Sequence, residues 1–297
     1  MTYKDFWLDI YKQLRNAPEY SPRGLKIKEI ENFQFTGDTL WRFANFKERK
    51  LSFKYIIGEL SWYLRGDLND VAGITHYSKF WNTIKNKEIP YFNSNYGHYI
   101  FQENQLYNCI RLLKNDKDTR QAAIIISRPG ILESETKDKI CTYAISFRIR
   151  NNKLNMTVRM RSNDFVLGTQ IDFFQFSVVH EILYVNLLNT YPELELGTYT
   201  HSSDSFHIYE KHYKMMEEII DNDGCNFSEI AFPRIKNKAE ADYLMNMFPI
   251  IEKKIRQNTE KENKDYRFFA NSYLDDCDYK FTKICVAALF GDLDENN

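Results

Sequence analysis

The clearest hydrophobic pattern in the chain spans residues 153–188, where an alternating segment gives way to a continuous apolar one. Apolar and polar residues alternate over 153–161, which predicts a strand with one buried face. The polar turn Arg161–Asp164 is predicted to end that strand, and Gly168 and Asp172 follow it closely. From 173 to 188 the apolar stripe is so wide that the predicted helix must lie deep inside the protein. Because polar groups between a core strand and a core helix are costly to desolvate without partners, this junction is a candidate site.

Helical and extended patterns alternate through the rest of the chain. Apolar residues at helical spacing predict helices, and alternating or continuous apolar runs between turn residues predict strands. The predicted helices cover residues 3–16, 52–64, 106–114 and 239–256, and the predicted strands cover 26–36, 39–43, 121–127, 141–150, 197–205 and 230–235. A further helix is predicted to begin within Ser205–Tyr209. Since the chain has no repeat and no Pro/Gly/Ser-rich linker, a single α/β domain over residues 1–297 is favoured.

Composition indicates a folded protein with a large core, because 43% of the residues are hydrophobic and 15% are aromatic. The 40 basic and 41 acidic residues give a net charge of -1, which argues against direct binding to nucleic acid or to an anionic membrane. No apolar run approaches the ~18 residues that a membrane span needs, and the amphipathic start of the chain is unlike a signal peptide. We therefore expect a cytoplasmic protein.

Cysteine usage argues against a disulfide framework and against structural zinc. The five cysteines are odd in number, lie far apart and have no CxxC or HExxH companion. Free thiols in a reducing compartment are the simplest interpretation, and no metal site is predicted. The cysteines are Cys109, Cys141, Cys225, Cys277 and Cys285.

Cys141 is a candidate nucleophile. It begins one predicted strand, and the hairpin partner of that strand ends at Arg161, so the two residues are expected to be neighbours. A nearby cation stabilises a thiolate and so favours nucleophilic chemistry. The alternative is that Cys141 is a small buried hydrophobe, as free cysteines usually are.

Two acidic residues lie beside apolar stripes. Glu59 follows the apolar face of the helix predicted over 52–64, so its carboxylate either meets a buried partner or a ligand cavity, or else reaches solvent. Asp172 and Gln175 have the spacing of a capping box, which would give Asp172 a purely structural role at the helix start.

Three arginines and a histidine complete the candidates. Arg23, Arg120 and Arg161 could converge on one phosphate, since the guanidinium fork suits phosphate geometry, or each could form a surface salt bridge. His207 could be a core histidine satisfied by the backbone. The loop over 92–99 is rich in Asn, Ser and Gly and is predicted to present Tyr96.

Six short segments, in this order and spacing, make the chain resemble the thymidylate synthase family. They are GELSWYLRGD (58–67), SNYG (94–97), DTR (118–120), KICTYAISF (139–147), MRSNDFVLG (160–168) and FHIY (206–209). The similarity covers roughly Arg23 to His212, so residues 224–297 are predicted to be an addition to the shared domain. The resemblance implies an α/β (α+β) fold with a large mixed sheet packed by helices, and a homodimer that packs sheet against sheet.

Within that family the departures resemble the phage deoxycytidylate hydroxymethylases more than the synthases. Asp172 replaces the Asn that reads uracil in the synthases. An amide can both accept from N3–H and donate to O4 of uracil, whereas an ionised carboxylate only accepts and so suits the amino group of cytosine. Three other features also resemble the deoxycytidylate hydroxymethylases: Thr142 after the cysteine, MRSND over 160–164 and SFHIY over 205–209.

The resemblance also implies roles for individual residues. Cys141 would attack C6 of the pyrimidine of dCMP, Glu59 would relay protons through a water, Tyr96 would help to remove the C5 proton, and Asp172 would read the base. The implied nucleotide-binding residues are Arg23, Arg161, Ser162, Asn163, His207 and Tyr209, together with Arg120 donated by the other subunit. The implied contacts to the co-substrate, 5,10-methylenetetrahydrofolate, are Glu59, Phe80, Trp81, Asp164, Leu167, Gly168 and Ile171.

The predicted reaction is therefore addition of a hydroxymethyl group to dCMP. Two other functions stay open at this point. One is a thymidylate synthase or a deoxyuridylate hydroxymethylase, against which Asp172 argues. The other is an inactive homologue that binds nucleotide or RNA, against which the intact Cys141, Glu59, Tyr96 and Arg161 argue.

Overall fold

A six-stranded mixed sheet organises the protein. In the computed structural model, which describes residues 2–40, 42–85, 90–131, 136–228, 230, 232–257, 279–291 and 293, the strand order is β1-β2-β6-β5-β4-β3. Only β5 and β6 pair in parallel; the other neighbours are antiparallel. The strands are β1 (Glu19–Tyr20), β2 (Ile27–Gly37), β3 (Ala123–Ile125), β4 (Thr142–Arg150), β5 (Lys153–Asp164) and β6 (Glu195–Tyr209). The expected large mixed sheet is confirmed.

Helices pack against this sheet and against one another. They are α1 (Tyr3–Arg15), α2 (Phe53–Arg65), α3 (Ala72–Thr75), α4 (Phe80–Ile84), α5 (Gln105–Asn115), α6 (Gln170–Leu187), α7 (Tyr213–Asp221), α8 (Lys238–Asn246), α9 (Phe248–Gln257) and α10 (Lys280–Leu289). No helix in the described ranges is long and apolar enough to cross a membrane. The four cysteines in those ranges are free thiols, as expected, and Cys277 lies outside them.

The hairpin between β4 and β5 sets the position of the predicted nucleophile. Asn151 and Asn152 both have positive φ, of 51° and 59°, which suits the mirror-image turn that matches strand twist. The turn aligns Arg150 with Lys153 and, at the far end, Thr142 with Met160. The Arg161 N–H consequently donates to the Cys141 carbonyl at 2.8 Å, as the hairpin pattern predicted.

The central helix α6 is buried on nearly every side, and this confirms its predicted depth. It forms the crossover between the parallel strands β5 and β6. Even its polar residues Gln175, His180 and Glu181 are almost inaccessible to solvent. Glu181 is partnered by Arg42, which is also fully buried.

Several predicted boundaries are wrong. Residues 161–164 do not end the strand, because Ser162, Asn163 and Asp164 continue the parallel pairing with β6. Likewise Ser205–Tyr209 stays in β6, and the next α-helix begins only at Tyr213. The described residues of 39–43 carry no strand, and Arg42 among them is turned inward to its buried ion pair with Glu181.

The C-terminal predictions also need correction. The described residues of 230–235 carry no strand. The single helix predicted over 239–256 is two helices, α8 and α9, which are separated at Met247. Pro249 has no N–H to continue the hydrogen bonding of α8, and it lies in the first turn of α9, where a proline is tolerated. Glu252 of α9 is buried and contacts Arg65, Arg256 and Tyr77, which fixes this part of the chain against the end of α2.

Candidate active site

Cys141 lies at one end of the sheet, immediately before β4. The Arg161 guanidinium donates to the carbonyls of Ile140 and Lys139 at 2.9 and 3.1 Å, and its Nη2 lies 3.6 Å from the Cys141 Sγ. Burial raises the pKa of the thiol, while Arg161 and then Arg23 lower it. The half-buried thiol is therefore held in contact with a fixed cation, which a purely apolar core cysteine would not need.

Tyr96 also contacts Cys141. Its hydroxyl accepts a hydrogen bond from the Cys141 N–H at 3.1 Å. The loop that carries it is tied down by Asp138, whose carboxylate accepts from the N–H of Ser94 at 3.1 Å. Gly97 is required at its place because a Cβ would lie 1.8 Å from the carbonyl oxygen of Tyr63 in α2. The prediction that this loop presents Tyr96 agrees with these contacts.

Glu59 faces inward, so the solvent-exposed alternative is wrong. Only 5% of the residue is accessible, and its two carboxylate oxygens accept from the Tyr55 hydroxyl at 2.8 Å and from Gln175 Nε2 at 3.2 Å. Burial raises the pKa of Glu59 to about 7, although both hydrogen bonds lower it. A carboxyl group with this pKa can both accept and donate a proton near neutrality, as a general acid–base catalyst must.

Asp172 does not cap its helix, so the capping-box alternative is also wrong. It lies inside α6, and its Oδ2 accepts from Asn163 Nδ2 at 2.8 Å, while Gln175 donates to Glu59 and to the Ile56 carbonyl instead. Burial, and then the charge of Glu59, raise the pKa of Asp172 to about 8. One of its oxygens is therefore held by Asn163, and the other is available to a ligand.

The nucleotide-binding residues fall into two groups. His207 and Tyr209 contact each other edge to face at 5.1 Å, and Arg23 lies close enough to lower the pKa of Tyr209. Ser162 pairs with Ser205 beside them on the parallel strand. This group lies at the same end of the sheet as Cys141 and Arg161, and its charges suit a phosphate and a sugar hydroxyl.

Arg120 is in the other group. Arg120 precedes β3, which pairs antiparallel with β4, so Arg120 lies toward the last residues of β4, whereas Cys141 precedes its first residue. At the rise of about 3.3 Å per residue in a strand, Arg120 lies about 25 Å from Cys141. It lines a separate surface pocket with Asp116, Asp118, Thr119 and Gln121. Convergence of all three arginines within one chain is therefore wrong. The salt-bridge alternative fails as well, because no ion pair to a described residue is formed by Arg23, Arg120 or Arg161.

The residues predicted to contact folate border the acid pair. Phe80 is 59% exposed and Leu167 is 42% exposed, which leaves two large apolar side chains facing solvent. Trp81 and Ile171 are buried beside them. Asp164 Oδ1 accepts from the N–H groups of Val166 and Leu167 and so caps the single turn that precedes α6. An aromatic co-substrate ring could cover these apolar groups, so the residues present fit a folate.

Sequence reasoning missed several residues that hold the site together. Tyr55 and Gln175 donate to Glu59, Asp138 anchors the loop of Tyr96, and Thr169 and His201 contact Asn163. Tyr55 lies one helical turn before Glu59, so i,i+4 spacing was the one local signal that could have found it. The other contacts join residues far apart in sequence. Among the described residues, no group of three or more side chains could hold a metal ion.

The chain is similar in sequence to a family of known proteins. The model of the thymidylate synthase family matches residues 2–262. A deoxyuridylate hydroxymethyltransferase of Bacillus phage SP01 is 29% identical over 245 residues, which is 76% of this chain and 62% of that enzyme. The deoxycytidylate 5-hydroxymethyltransferase of Enterobacteria phage T4 is 29% identical over 65% of this chain and 80% of its own length. The thymidylate synthase of Bacillus atrophaeus is 26% identical over 55% of this chain and 74% of its own length.

Proposed function

Because the chain belongs to the thymidylate synthase family, we propose that it is a deoxycytidylate 5-hydroxymethyltransferase. It converts dCMP, 5,10-methylenetetrahydrofolate and water into 5-hydroxymethyl-dCMP and tetrahydrofolate. The observation that carries this proposal is the carboxyl group of Asp172 beside Asn163 and Glu59, on the side of the site where the family reads the base. An ionised carboxylate accepts the amino hydrogen of cytosine and offers nothing to O4 of uracil.

The geometry supports a role for each catalytic side chain. The Cys141 thiolate, beside Arg161, adds to C6 of the base, and C5 then acts as a nucleophile toward the methylene of the folate. Tyr96 lies next to Cys141 and helps to remove the C5 proton. Once tetrahydrofolate has left, water adds to the exocyclic methylene, and Glu59 accepts the proton of that water because its pKa lies near neutrality. The C6–S bond then breaks, which restores the C5–C6 double bond of the base and releases Cys141 as the thiolate.

A deoxyuridylate hydroxymethylase is the second candidate, and one observation favours it. Burial raises the pKa of Asp172 to about 8, so the free protein at neutral pH contains a large share of the protonated acid. A protonated carboxyl group can accept from N3–H and donate to O4, which uracil also satisfies. Similarity to the phage SP01 enzyme is in keeping with this reading.

The same proposal includes a homodimer in which Arg120 binds the phosphate held by the partner. Arg120 is exposed and too far from Cys141 to serve its own site. The face of the sheet that bears Arg148 and Arg159 is polar, and these two arginines hydrogen-bond to Thr157 and Ser146 on the neighbouring strand. Mixing Arg120→Ala with Cys141→Ser tests this arrangement, since each mixed dimer would regain one intact site. A mixture as inactive as its components would refute it.

One assay separates the candidate functions. The protein is incubated with 5,10-methylenetetrahydrofolate and either dCMP or dUMP, while the near-ultraviolet absorbance of dihydrofolate and the mass of the nucleotide are followed. The proposed enzyme adds CH2O to dCMP without an absorbance rise. A synthase adds a methyl group to dUMP with a rise, a deoxyuridylate hydroxymethylase adds CH2O to dUMP, and an inactive homologue changes neither nucleotide.

A further inference from the structure

A buried chain of polar side chains leads away from Asp172 into the core. Asn163 donates to Asp172 through Nδ2, and its Oδ1 accepts from the Thr169 hydroxyl and from His201 Nε2, the latter at 3.1 Å. His201 Nδ1 lies 2.9 Å from the Tyr199 hydroxyl. All of these residues beyond Asp172 are at most 3% exposed. Burying polar groups this deeply is costly unless each one has a hydrogen-bond partner, so the orientation of each of these side chains restricts that of its neighbours.

The orientation of the Asn163 amide decides what Asp172 meets. With Nδ2 toward Asp172, the carboxylate oxygen receives a hydrogen bond; with the amide reversed, Oδ1 would face that oxygen and repel it unless the acid were protonated. The amide is thus coupled to the ionisation of Asp172. Asn163 Oδ1 faces His201 Nε2 and can only accept, so this orientation assigns the ring proton to Nε2 and leaves Nδ1 to accept from the Tyr199 hydroxyl. In this tautomer His201 favours the first orientation of the amide.

The residues around His201 restrict both the position and the protonation state of its ring. Its ring stacks on Phe35 at 5.2 Å with an interplanar angle of 15°. Burial lowers the pKa of His201 to about 3, so the ring is neutral and carries one N–H. Gly168 covers the other side of the Asn163–Asp172 pair, where a Cβ would lie 3.1 Å from Asn163 Nδ2 and crowd it.

We infer that His201 is a positioning residue for base selection: its Nε2–H holds the Asn163 amide so that Asp172 presents an ionised, accepting oxygen to cytosine. This inference rests on the proposed function, because it concerns how the same base-reading carboxylate is set. His201 does not touch the nucleotide and acts only through Asn163. Loss of the imidazole N–H lets the amide reverse, favours the protonated acid and weakens discrimination against uracil.

The test compares substitutions at two buried histidines. His201→Phe removes the N–H and keeps a ring against Phe35, whereas His201→Gln restores a donor at a similar distance from the backbone. His180→Phe is the matched control, since His180 is equally buried but donates to the Leu154 carbonyl, outside the chain to Asp172. The readout is the ratio of kcat/KM for dCMP to that for dUMP.

We expect His201→Phe to lower this ratio about tenfold, the worth of one buried hydrogen bond, and His201→Gln to recover most of it. His180→Phe keeps the wild-type ratio. An unchanged ratio in His201→Phe, or an equal fall in His180→Phe, overturns the inference. If the wild-type protein converts neither nucleotide, the proposed function fails, and the ratio of calorimetric dissociation constants for dCMP and dUMP in the same variants still decides the role of His201.

Discussion

Replacing Tyr55 with Phe removes a hydroxyl group that makes two hydrogen bonds, of which one is donated to Glu59. The hydroxyl donates to the Glu59 carboxylate at 2.8 Å and accepts from the Trp81 indole N–H at 3.1 Å, while the ring remains. A hydrogen bond to a charged group contributes about 1.5–3 kcal/mol. At 1.36 kcal/mol per pKa unit, its loss raises the pKa of Glu59 by about one to two units above its value near 7.

The expected consequence is a displaced pH profile. Glu59 acts as a base only when ionised, so the acidic limb of kcat for hydroxymethylation moves about one to two units toward higher pH. At neutral pH the variant is about tenfold slower or worse, and its rate recovers in alkaline buffer. The assay is the rate of CH2O addition to dCMP at saturating folate, measured from pH 6 to about pH 9.5.

Tyr63→Phe serves as the matched control for this experiment. Tyr63 lies on the same helix and its hydroxyl is also close to Glu59, but the two hydrogen bonds to Glu59 come from Tyr55 and Gln175. Tyr63→Phe should therefore leave the acidic limb in place. The reasoning is refuted if Tyr55→Phe leaves the limb unmoved, or if both variants move it equally.

Two further predictions concern base selection and stability. Asp172→Asn shifts preference from dCMP toward dUMP. Because the pKa of Asp172 in the folded protein is raised from 3.8 to about 8, the wild-type protein loses stability as pH rises from about 4 to about 8. Asp172→Asn therefore stabilises the free protein by up to ~5 kcal/mol at pH 8 and by only ~1.5 kcal/mol at pH 5, measured by urea unfolding. An unchanged preference counts against the base reader, and a pH-independent gain counts against the raised pKa. Glu181→Gln leaves the buried Arg42 without its counter-charge and costs about 3–5 kcal/mol of unfolding free energy, whereas Lys238→Ala, in an exposed pair, changes it little. Equal effects of the last two variants would contradict this account.

The sequence predicted the elements that local pattern controls. The hairpin at Asn151 and Asn152, the buried helix α6 and the meeting of Cys141 with Arg161 all follow from periodicity and turn chemistry. Glu59 and Asp172 were recognised as candidates, but their alternatives could not be excluded before the structure. Whether a carboxylate faces solvent or a neighbour depends on which distant element packs over it.

The errors arise where tertiary contacts override local signals. Residues 161–164 look like a turn, yet they continue β5 because β6 supplies parallel partners for Ser162, Asn163 and Asp164. Residues 39–43 look extended, but Arg42 is committed to Glu181. The contact between His201 and Asn163 joins residues 38 positions apart and has no local pattern that could reveal it.

The central claim is that the Cys141 sulfur bonds to a cytosine ring recognised by Asp172. The most direct measurement is the mass of the protein after incubation with 5-fluoro-dCMP and 5,10-methylenetetrahydrofolate, because fluorine at C5 cannot leave as a cation and the adduct accumulates. The account predicts an added mass of nucleotide plus folate on the Cys141 peptide, absent from Cys141→Ser and formed more readily than with 5-fluoro-dUMP. An unmodified Cys141 peptide, or an adduct formed only with the uracil analogue, would contradict it.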